Sequence, residues 1–296
     1  MVKIAVELGQ ALHRRVLNGV AGSTTARRLA EGPGWSVSDV VCTSGPQDRP
    51  FEERHSGFSI AIVAFGTFQY QGAISSGPAR ELMTPGSLLL GNSGHAFKCG
   101  HEHGEGDRCV SFGYSPEYFE RLAADAGLKG RLAFRALRLP PLRAFSALIV
   151  RAQAGLAECE VDWEELSVQI AGQALQLAND LPQQHKTHDL ASEARVTKVV
   201  RRIERSAGGK SDLSSLAREA RLSPYHFLRV FEYLTGMTPH QYILGARLRE
   251  AALRLLSTRH KVLDVALDCG FADVSNFNRA FRAEFGTTPL KYRKAT

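Results

Sequence analysis

The carboxyl end of this chain carries one pattern twice: residues 216–242 read LAREARLSPYHFLRVFEYLTGMTPHQY, and residues 265–292 read VALDCGFADVSNFNRAFRAEFGTTPLKY. With one residue inserted, the two segments share eight identical positions, and such self-similarity indicates a duplicated structural unit. The identical pairs are Ala217 and Ala266, Phe227 and Phe277, Arg229 and Arg279, Phe231 and Phe281, Gly236 and Gly286, Thr238 and Thr288, Pro239 and Pro289, and Tyr242 and Tyr292.

Each copy predicts a helix-turn-helix unit, in which a short helix is followed by a tight turn and a second helix. The short helices are predicted over residues 212–221 and 262–269. In the first copy Ser223 is the predicted cap of the second helix, because its side-chain oxygen can accept a hydrogen bond from a free backbone N–H. In the second copy either Asp273 or Ser275 can fill this position.

The second helix of each copy has a predicted buried face and a predicted exposed face. Apolar residues recur at i, i+3, i+4 and i+7, which is typical of a helix that packs one face on a core. The predicted core residues are Phe227, Val230, Phe231 and Leu234 in the first copy, and Phe277, Ala280, Phe281 and Phe285 in the second. The residues predicted to point outward are Tyr225, His226, Arg229 and Glu232, and Ser275, Asn276, Asn278, Arg279 and Arg282.

These exposed side chains are of the types that bind DNA. Arg, Asn, Ser and aromatic groups read base edges and contact phosphates in the major groove. The alternative for each position is an ordinary solvated helix face. Between the copies, Thr238 and Pro239 begin a predicted helix that runs to about Leu256. A helix of about 18 residues is about 27 Å long, which is of the order of the spacing between adjacent major grooves, so one chain could fill two of them.

Charge is divided unevenly along the chain. Residues 195–296 contain 19 Lys and Arg against 9 Asp and Glu, a net charge of +10. Residues 1–194 contain 18 against 21, a net charge of −3. A basic segment joined to a slightly acidic one suggests that one end meets a polyanion. Double-stranded DNA is therefore the predicted partner of the carboxyl-terminal end.

The repeated units resemble those of the AraC/XylS family of bacterial transcription regulators. The resemblance is carried by Gly236-Met-Thr-Pro-His-Gln-Tyr242 in the first unit. In the second unit it is carried by Ala266-Leu-Asp-Cys-Gly-Phe271, Phe277-Asn-Arg-Ala-Phe281 and Gly286-Thr-Thr-Pro289. The amino-terminal part resembles the family more loosely, through Thr84-Pro-Gly-Ser-Leu-Leu-Leu90 and the glycine and His95 that follow.

The resemblance implies a sequence-specific regulator, and more narrowly an activator that works with RNA polymerase at a promoter. It implies a homodimer whose amino-terminal domain is a cupin-like β-barrel followed by dimerising helices, and this domain receives a small-molecule or metal effector. Leu228 departs from the polar residue often found at its position, so apolar contact with a thymine methyl is expected there. The DNA-contacting residues that the resemblance implies are Tyr225, Leu228 and Arg229, and Ser275, Asn278 and Arg279.

The amino-terminal sequence independently predicts a β-rich domain. From about residue 35 to residue 112, short apolar runs alternate with Gly, Pro and Asn turn signals, which favours a small antiparallel sandwich or barrel. Ser115, Pro116 and Glu117 then predict the start of a helix. The predicted fold is α+β with two domains. The predicted boundaries are an extension over 1–34, a sensory and dimerisation domain over 35–181 with helices from about 116, a linker over 182–194, and a DNA-binding domain over 195–296.

An apolar stripe follows in the helical part of this domain. Its residues recur at steps of three and four, so they form one face of a helix. Two interpretations stay open, packing within the same domain or a dimer seam. The stripe residues are Trp163, Leu166, Ile170, Ala174, Leu177 and Leu181.

A cluster of cysteines and histidines marks a second candidate site. Cys99, His101 and His103 alternate, so on a strand they share one face, and a five-residue hairpin loop would add Cys109, whereas a four-residue loop would turn it away. Two thiolates and two imidazoles suit zinc, which is the candidate cofactor, and redox sensing is the related alternative. The other interpretation is a solvated glycine-rich hairpin.

Other classes of function have weaker support. No apolar stretch reaches the roughly 18 to 20 residues that cross a bilayer, and the amino terminus lacks the pattern of a signal peptide, so no membrane partner and a cytoplasmic location are expected. Walker, Rossmann, serine-elbow and zincin motifs are absent from the sequence, so no enzyme activity is predicted. A cupin-type metalloenzyme and a scaffold that binds DNA without sequence preference are the rival hypotheses.

Overall fold

The structure is a computed structural model, and it describes residues 3–74, 77–127, 133–178, 190–206, 208–209 and 212–294. The amino-terminal half of the described chain contains two antiparallel sheets. The strands are β1 Thr24–Gly32, β2 Trp35–Cys42, β3 Phe51–Arg54, β4 Phe58–Gly66, β5 Phe68–Ile74, β6 Gly77–Met83, β7 Leu88–Gly91, β8 Ala96–Gly100, β9 Asp107–Tyr114 and β10 Arg138–Leu139. Their order is β1-β2-β9-β4-β7-β10 in the first sheet and β3-β8-β5-β6 in the second.

Strand β4 is covered on both of its faces, which explains its continuous apolar sequence. Ile60 and Ile62 belong to a core cluster that includes the helices behind the first sheet. Ala61 and Val63 belong to a cluster that includes Phe68 of the second sheet. Alternation along the strand therefore sends successive side chains into two separate apolar layers.

Residues before the predicted boundary at 35 are part of the fold. Helix α1, Lys3–Asn18, buries Leu8, and strand β1 pairs with β2 over almost its whole length. Residues 1–34 are predicted as an extension from the sequence because β1 is polar, and in the structure this strand is mostly exposed. An edge strand of this kind lacks the apolar alternation by which strands are recognised.

The predicted hairpin around the cysteine and histidine cluster is wrong. Strand β8 pairs with β3 and β5, whereas β9 pairs with β2 and β4. The residues between β8 and β9 thus cross from one sheet to the other. Consecutive strands commonly pair with each other, but here the packing of two sheets overrides this tendency.

Three helices pack behind the first sheet, and the predicted start at Ser115 is confirmed. They are α2 Pro116–Asp125, α3 Ser146–Leu156 and α4 Trp163–Ala178, with a short 3₁₀ helix at Arg143–Phe145. The Ser115 side chain accepts a hydrogen bond from the Tyr118 N–H. Of the apolar stripe, Leu166, Ile170 and Ala174 are buried within the chain's own core, so packing explains them, while Leu181 lies outside the described residues.

The carboxyl-terminal part is all-helical. Its helices are α5 Leu190–Arg205, α6 Leu213–Glu219, α7 Pro224–Thr235, α8 Pro239–Ser257, α9 Val262–Asp268, α10 Val274–Phe285 and α11 Pro289–Lys294. The predicted linker, 182–194, lies outside the described residues except for its last five residues, which belong to α5. Within the described ranges no helix is both long and apolar enough to cross a membrane.

The two halves share one core. Leu248, Ala251 and Ala252 of α8 lie in the same apolar cluster as Ile149 of α3 and the strands of the first sheet. The two-part architecture is therefore as predicted at the level of a β-rich half and an all-helical half. The cupin-like closure of the β-rich half and the exact domain boundaries stay predictions.

Candidate functional site

The first helix-turn-helix unit consists of α6 and α7. The Ser223 side chain accepts a hydrogen bond from the His226 N–H, so the predicted cap is confirmed. Gly236 ends α7 in the left-handed conformation, with φ of 77°, which a residue without a Cβ adopts readily. The predicted core face is buried, as expected from its spacing: Phe227, Val230, Phe231 and Leu234.

The opposite face of α7 begins with an aromatic and cationic pair. Tyr225 is 70% exposed, and the Arg229 guanidinium lies 5.9 Å from the centre of its ring. His226 is also exposed, whereas Leu228 is only half-buried. The face therefore offers a guanidinium, an imidazole and an aromatic ring to a partner, and it leaves part of a leucine side chain free for apolar contact.

The second unit consists of α9 and α10, and its cap is Asp273. The Asp273 carboxylate accepts a hydrogen bond from the Asn276 N–H at 2.7 Å, so the choice between Asp273 and Ser275 is settled in favour of the aspartate. Phe277 and Phe281 are fully buried, and Ala280 and Phe285 are half-buried.

The opposite face of α10 is mostly polar. Arg279 Nη2 donates to Asn276 Oδ1 at 3.1 Å, which aligns two of its side chains along the helix. Amide and guanidinium groups of this kind form the bidentate contacts that distinguish bases in the major groove. The exposed predicted residues are Ser275, Asn276, Asn278, Arg279 and Arg282.

Helix α8 joins the two units and holds them together. It begins with a capping box in which Thr238 and Gln241 satisfy each other's backbone N–H groups. Arg247, on the same helix, donates to the Gly270 carbonyl in the turn of the second unit at 3.1 Å. Arg247 was not predicted from the sequence, because nothing in its local pattern distinguishes it from a surface arginine.

The structure does not bring the four predicted metal ligands together. Cys99 and Cys109 are buried on β8 and β9, but the His103 Nε2 lies 3.9 Å from Glu193 on α5. Among the described residues, the group close enough to hold a metal is instead Cys42, His101 and Asp107, whose ligand atoms lie within 4.8 Å of one another.

Cys42 and Asp107 were missed because their proximity depends on strand pairing. They are directly opposite each other in β2 and β9, although 64 residues separate them in the chain. His101 Nε2 lies 2.7 Å from Asp107 Oδ1, and the Cys109 thiol donates to Asp107 Oδ2 at 3.3 Å. Burial, and then the Asp107 charge, raise the pKa of the Cys42 thiol and of the Cys109 thiol.

A cavity of about 800 Å³ lies against this group between the two sheets. Cys42, Asp107 and Cys109 form part of its wall, and Phe68 and Phe97 make another part of the wall apolar. A cavity of this size, with apolar walls and a few polar groups, is typical of small-molecule sites.

The residues between β8 and β9 also contact α5. The guanidinium of Arg80, on β6, makes a bidentate ion pair with Glu102 at 2.8 and 2.9 Å and binds Glu193 of α5 at 2.9 Å. Arg201, about two turns further along α5, donates to the Glu105 carbonyl at 3.0 Å. Bidentate pairs of this kind have restricted geometry, so α5 is connected directly to the segment that leads to Asp107.

Comparison with known proteins supports the nucleic-acid interface. The helix-turn-helix domain family matches residues 216–295. The regulatory protein SoxS of Salmonella typhimurium is 34% identical over 82 residues, which are 28% of this chain and 77% of SoxS. The HTH-type transcriptional regulator Rv1931c of Mycobacterium tuberculosis is 37% identical over 89 residues, which are 30% of this chain and 34% of that protein. The chain thus spans about a third of the length of Rv1931c.

Among solved structures, the DNA-binding domain of AdpA in complex with a target DNA is 31% identical, with a TM-score of 0.34. The match covers 34% of this chain and 91% of the AdpA domain. The duplicated helix-turn-helix units define a DNA-binding domain of the kind found in transcription regulators. The chain belongs to the AraC family of these regulators, as the sequence resemblance predicted.

Proposed function

We propose that the chain recognises specific promoter DNA with the exposed faces of α7 and α10. The observation that carries this proposal is the pair of capped helices, each exposing DNA-binding side-chain types above two buried phenylalanines. Recognition helices of this motif enter the major groove and contact base edges near their amino-terminal ends. The proposed contact residues are Tyr225, His226, Leu228, Arg229, Ser275, Asn276, Asn278, Arg279 and Arg282.

The test is sequencing of the genomic DNA fragments that the purified chain retains. We expect enrichment of a few promoters that share a motif about two helical turns long. The logarithm of the DNA-binding constant should fall linearly with the logarithm of the salt concentration, since the basic half displaces counterions from the DNA. The double variant Arg229→Ala, Arg279→Ala should lose the enrichment, whereas Arg14→Ala, an exposed arginine of α1, should keep it. Equal recovery of random fragments by the unaltered chain would contradict sequence-specific recognition.

The β-rich half is the proposed receiver of a signal. Its cavity has the volume and mixed lining of a small-molecule site. The ion pair of Arg80 with Glu193, and the hydrogen bond from Arg201 to the Glu105 carbonyl, connect this half to α5. In this proposal an effector shifts the residues between β8 and β9 and so changes how α5 holds the helix-turn-helix units. Replacing Arg80 by Met should change promoter affinity and its response to effector together. An unchanged response would contradict this route.

The remaining parts of the proposal concern assembly and output. We propose a cytoplasmic homodimer, with a cupin-like sensory domain, that activates transcription through RNA polymerase. The homodimer is tested by sedimentation with and without promoter DNA. A protein mass of 32.4 kDa, one chain, in both conditions would contradict it. Activation is tested by transcription from the enriched promoters with purified RNA polymerase, and a fall in transcript would indicate repression instead.

A further inference from the structure

Three side chains from different parts of the two sheets meet between them. Cys42 ends β2, Asp107 begins β9, and His101 follows β8 of the other sheet. Residues directly opposite in an antiparallel pair place their side chains on the same face, so Cys42 and Asp107 point the same way. The imidazole of His101 completes a group whose ligand atoms are all within 4.8 Å of one another.

His101 has a ring nitrogen with no hydrogen-bond partner among the described residues. Its side chain is 1% exposed, and Nε2 is held by Asp107 Oδ1 at 2.7 Å. The other nitrogen, Nδ1, is buried and contacts no hydrogen-bonding group in the described part of the chain. A buried polar atom without a partner costs free energy, and a bound ion is one way in which proteins satisfy it.

We propose that Cys42, His101 and Asp107 bind a divalent transition-metal ion of the zinc class. Thiolate, imidazole and carboxylate are the ligands that zinc accepts together, and a set containing sulfur disfavours magnesium and calcium. Zinc bonds of about 2.0 to 2.3 Å in a tetrahedron place the ligand atoms about 3.3 to 3.8 Å apart. From separations within 4.8 Å, the ligand atoms therefore need to shift by up to about 1.5 Å to reach this geometry.

Cys109 is the fourth donor in this proposal, and its Sγ has to move towards the other three because it lies outside their 4.8 Å group. Its Sγ lies 3.3 Å from Asp107 Oδ2, and both side chains project from β9 towards the cavity. Cys42 lines the same cavity, which therefore supplies an entry path for the ion. His103, which the sequence pattern included, is excluded because it lies beside Glu193 instead.

The site adjoins the contact between the β-rich half and α5. Asp107 directly follows Gly106, whose carbonyl accepts a hydrogen bond from Arg201 at 3.2 Å. An ion bound to Asp107 would restrain the residue next to this contact. The link from metal to DNA rests on the proposed function, whereas metal binding itself does not.

The experiment is zinc titration of the full chain, purified without an affinity tag and stripped with a chelator. Elemental analysis after gel filtration gives the stoichiometry, and a competing chromophoric chelator gives the affinity. We expect about one bound equivalent, and at least about a tenfold loss of affinity in Cys42→Ser and Asp107→Asn. Cys159→Ser and His103→Gln are the matched controls, and both should bind like the unaltered chain.

Two results would overturn the site. One is less than about a tenth of an equivalent of zinc on the unaltered chain, and the other is unchanged affinity in Cys42→Ser. Because a variant could fail to fold, cobalt bound to the unaltered chain provides a second measurement, and a spectrum without cobalt–thiolate absorption would also overturn it. Promoter binding is measured on the same preparations, so retained DNA binding without zinc binding rejects the metal site alone.

Discussion

The two helix-turn-helix units share one framework but have different neighbours. Both recognition helices end at a left-handed glycine, with φ of 77° at Gly236 and 74° at Gly286. The first unit packs on the second sheet, where Leu82 of β6 joins its apolar cluster. The second unit packs on α3, where the Ser146 hydroxyl hydrogen-bonds the Glu284 carboxylate. The same local pattern is thus attached to two different parts of the amino-terminal half.

This difference suggests that the two units contribute differently to DNA recognition and to its regulation. The face of α10 is made of amide, hydroxyl and guanidinium groups, whereas α7 includes the half-buried Leu228 and the exposed ring of Tyr225. We expect the second unit to contribute more to base discrimination, because amide and guanidinium groups make the bidentate contacts. We expect the first unit to respond more strongly to changes in the β-rich half, since it contacts the second sheet directly.

The largest effect on stability is expected at the buried phenylalanines that occupy equivalent positions in the two units. Phe231→Ala and Phe281→Ala should each lower the free energy of unfolding by about 3 to 5 kcal/mol, because each leaves a large cavity in a fully buried site. Urea denaturation measures both, and Phe285→Ala, at a half-buried position, should cost less. A small effect at one of the two phenylalanines would show that the units are not built alike.

The next effect concerns DNA. Arg279→Ala should weaken specific binding by about 1 to 3 kcal/mol and relax the preference at one base position. Arg229→Ala should weaken binding with less change in preference, since its guanidinium lies beside the Tyr225 ring. Binding to a library of single-base variants of the promoter distinguishes the two results. If preference relaxes more in Arg229→Ala, the proposed division between the units is reversed.

A smaller effect is expected where the first unit meets the sheets. Arg138, on β10, binds the Glu81 carboxylate at 2.8 Å and donates to the Thr235 carbonyl at the end of α7 at 3.0 Å. Arg138→Met should cost about 1.5 kcal/mol, because it removes hydrogen bonds to charged groups. Hydrogen exchange should quicken at the end of α7 and stay unchanged in α10. Equal acceleration in both helices would indicate that the units are not attached separately.

The smallest effect is expected at the helix caps. Ser223→Ala and Asp273→Ala should each cost about 1 kcal/mol by leaving a backbone N–H unpaired. Ser275→Ala is the matched control, since the Asp273 side chain already caps α10. Thermal unfolding compares the three variants. A cost at Ser275 equal to that at Asp273 would contradict the assigned cap.

The repeated units were predictable to the level of single side chains. Phe227 and Phe277 follow the helical spacing, and Ser223 precedes a proline at the first helical position, so these assignments use contacts within a few residues. Even here one choice needed the structure, because Asp273 and Ser275 are both good caps. The structure decides between them, because α10 begins at Val274 and its cap is therefore Asp273.

The β-rich half was predictable as strands but not as a site. The short apolar runs correctly indicated strands, yet the pairing of β8 and β9 with different sheets could not be inferred from them. His101 and His103 look equivalent in sequence, but the first lies beside Asp107 and the second beside Glu193. Strand β8 ends at Gly100, before both histidines. The alternation of side chains along a strand therefore does not place His101 and His103 on one face.

The sequence by itself determined the duplicated helix-turn-helix units, their buried and exposed faces, and the basic charge of the half that contains them. These features depend on helical spacing and composition, which act over a few residues. Tertiary structure alone decided that Cys42 lies opposite Asp107 and that Arg201 binds the residues before it. The physical reason is that strand register and sheet packing join distant residues, and no local pattern encodes which distant strand becomes the neighbour.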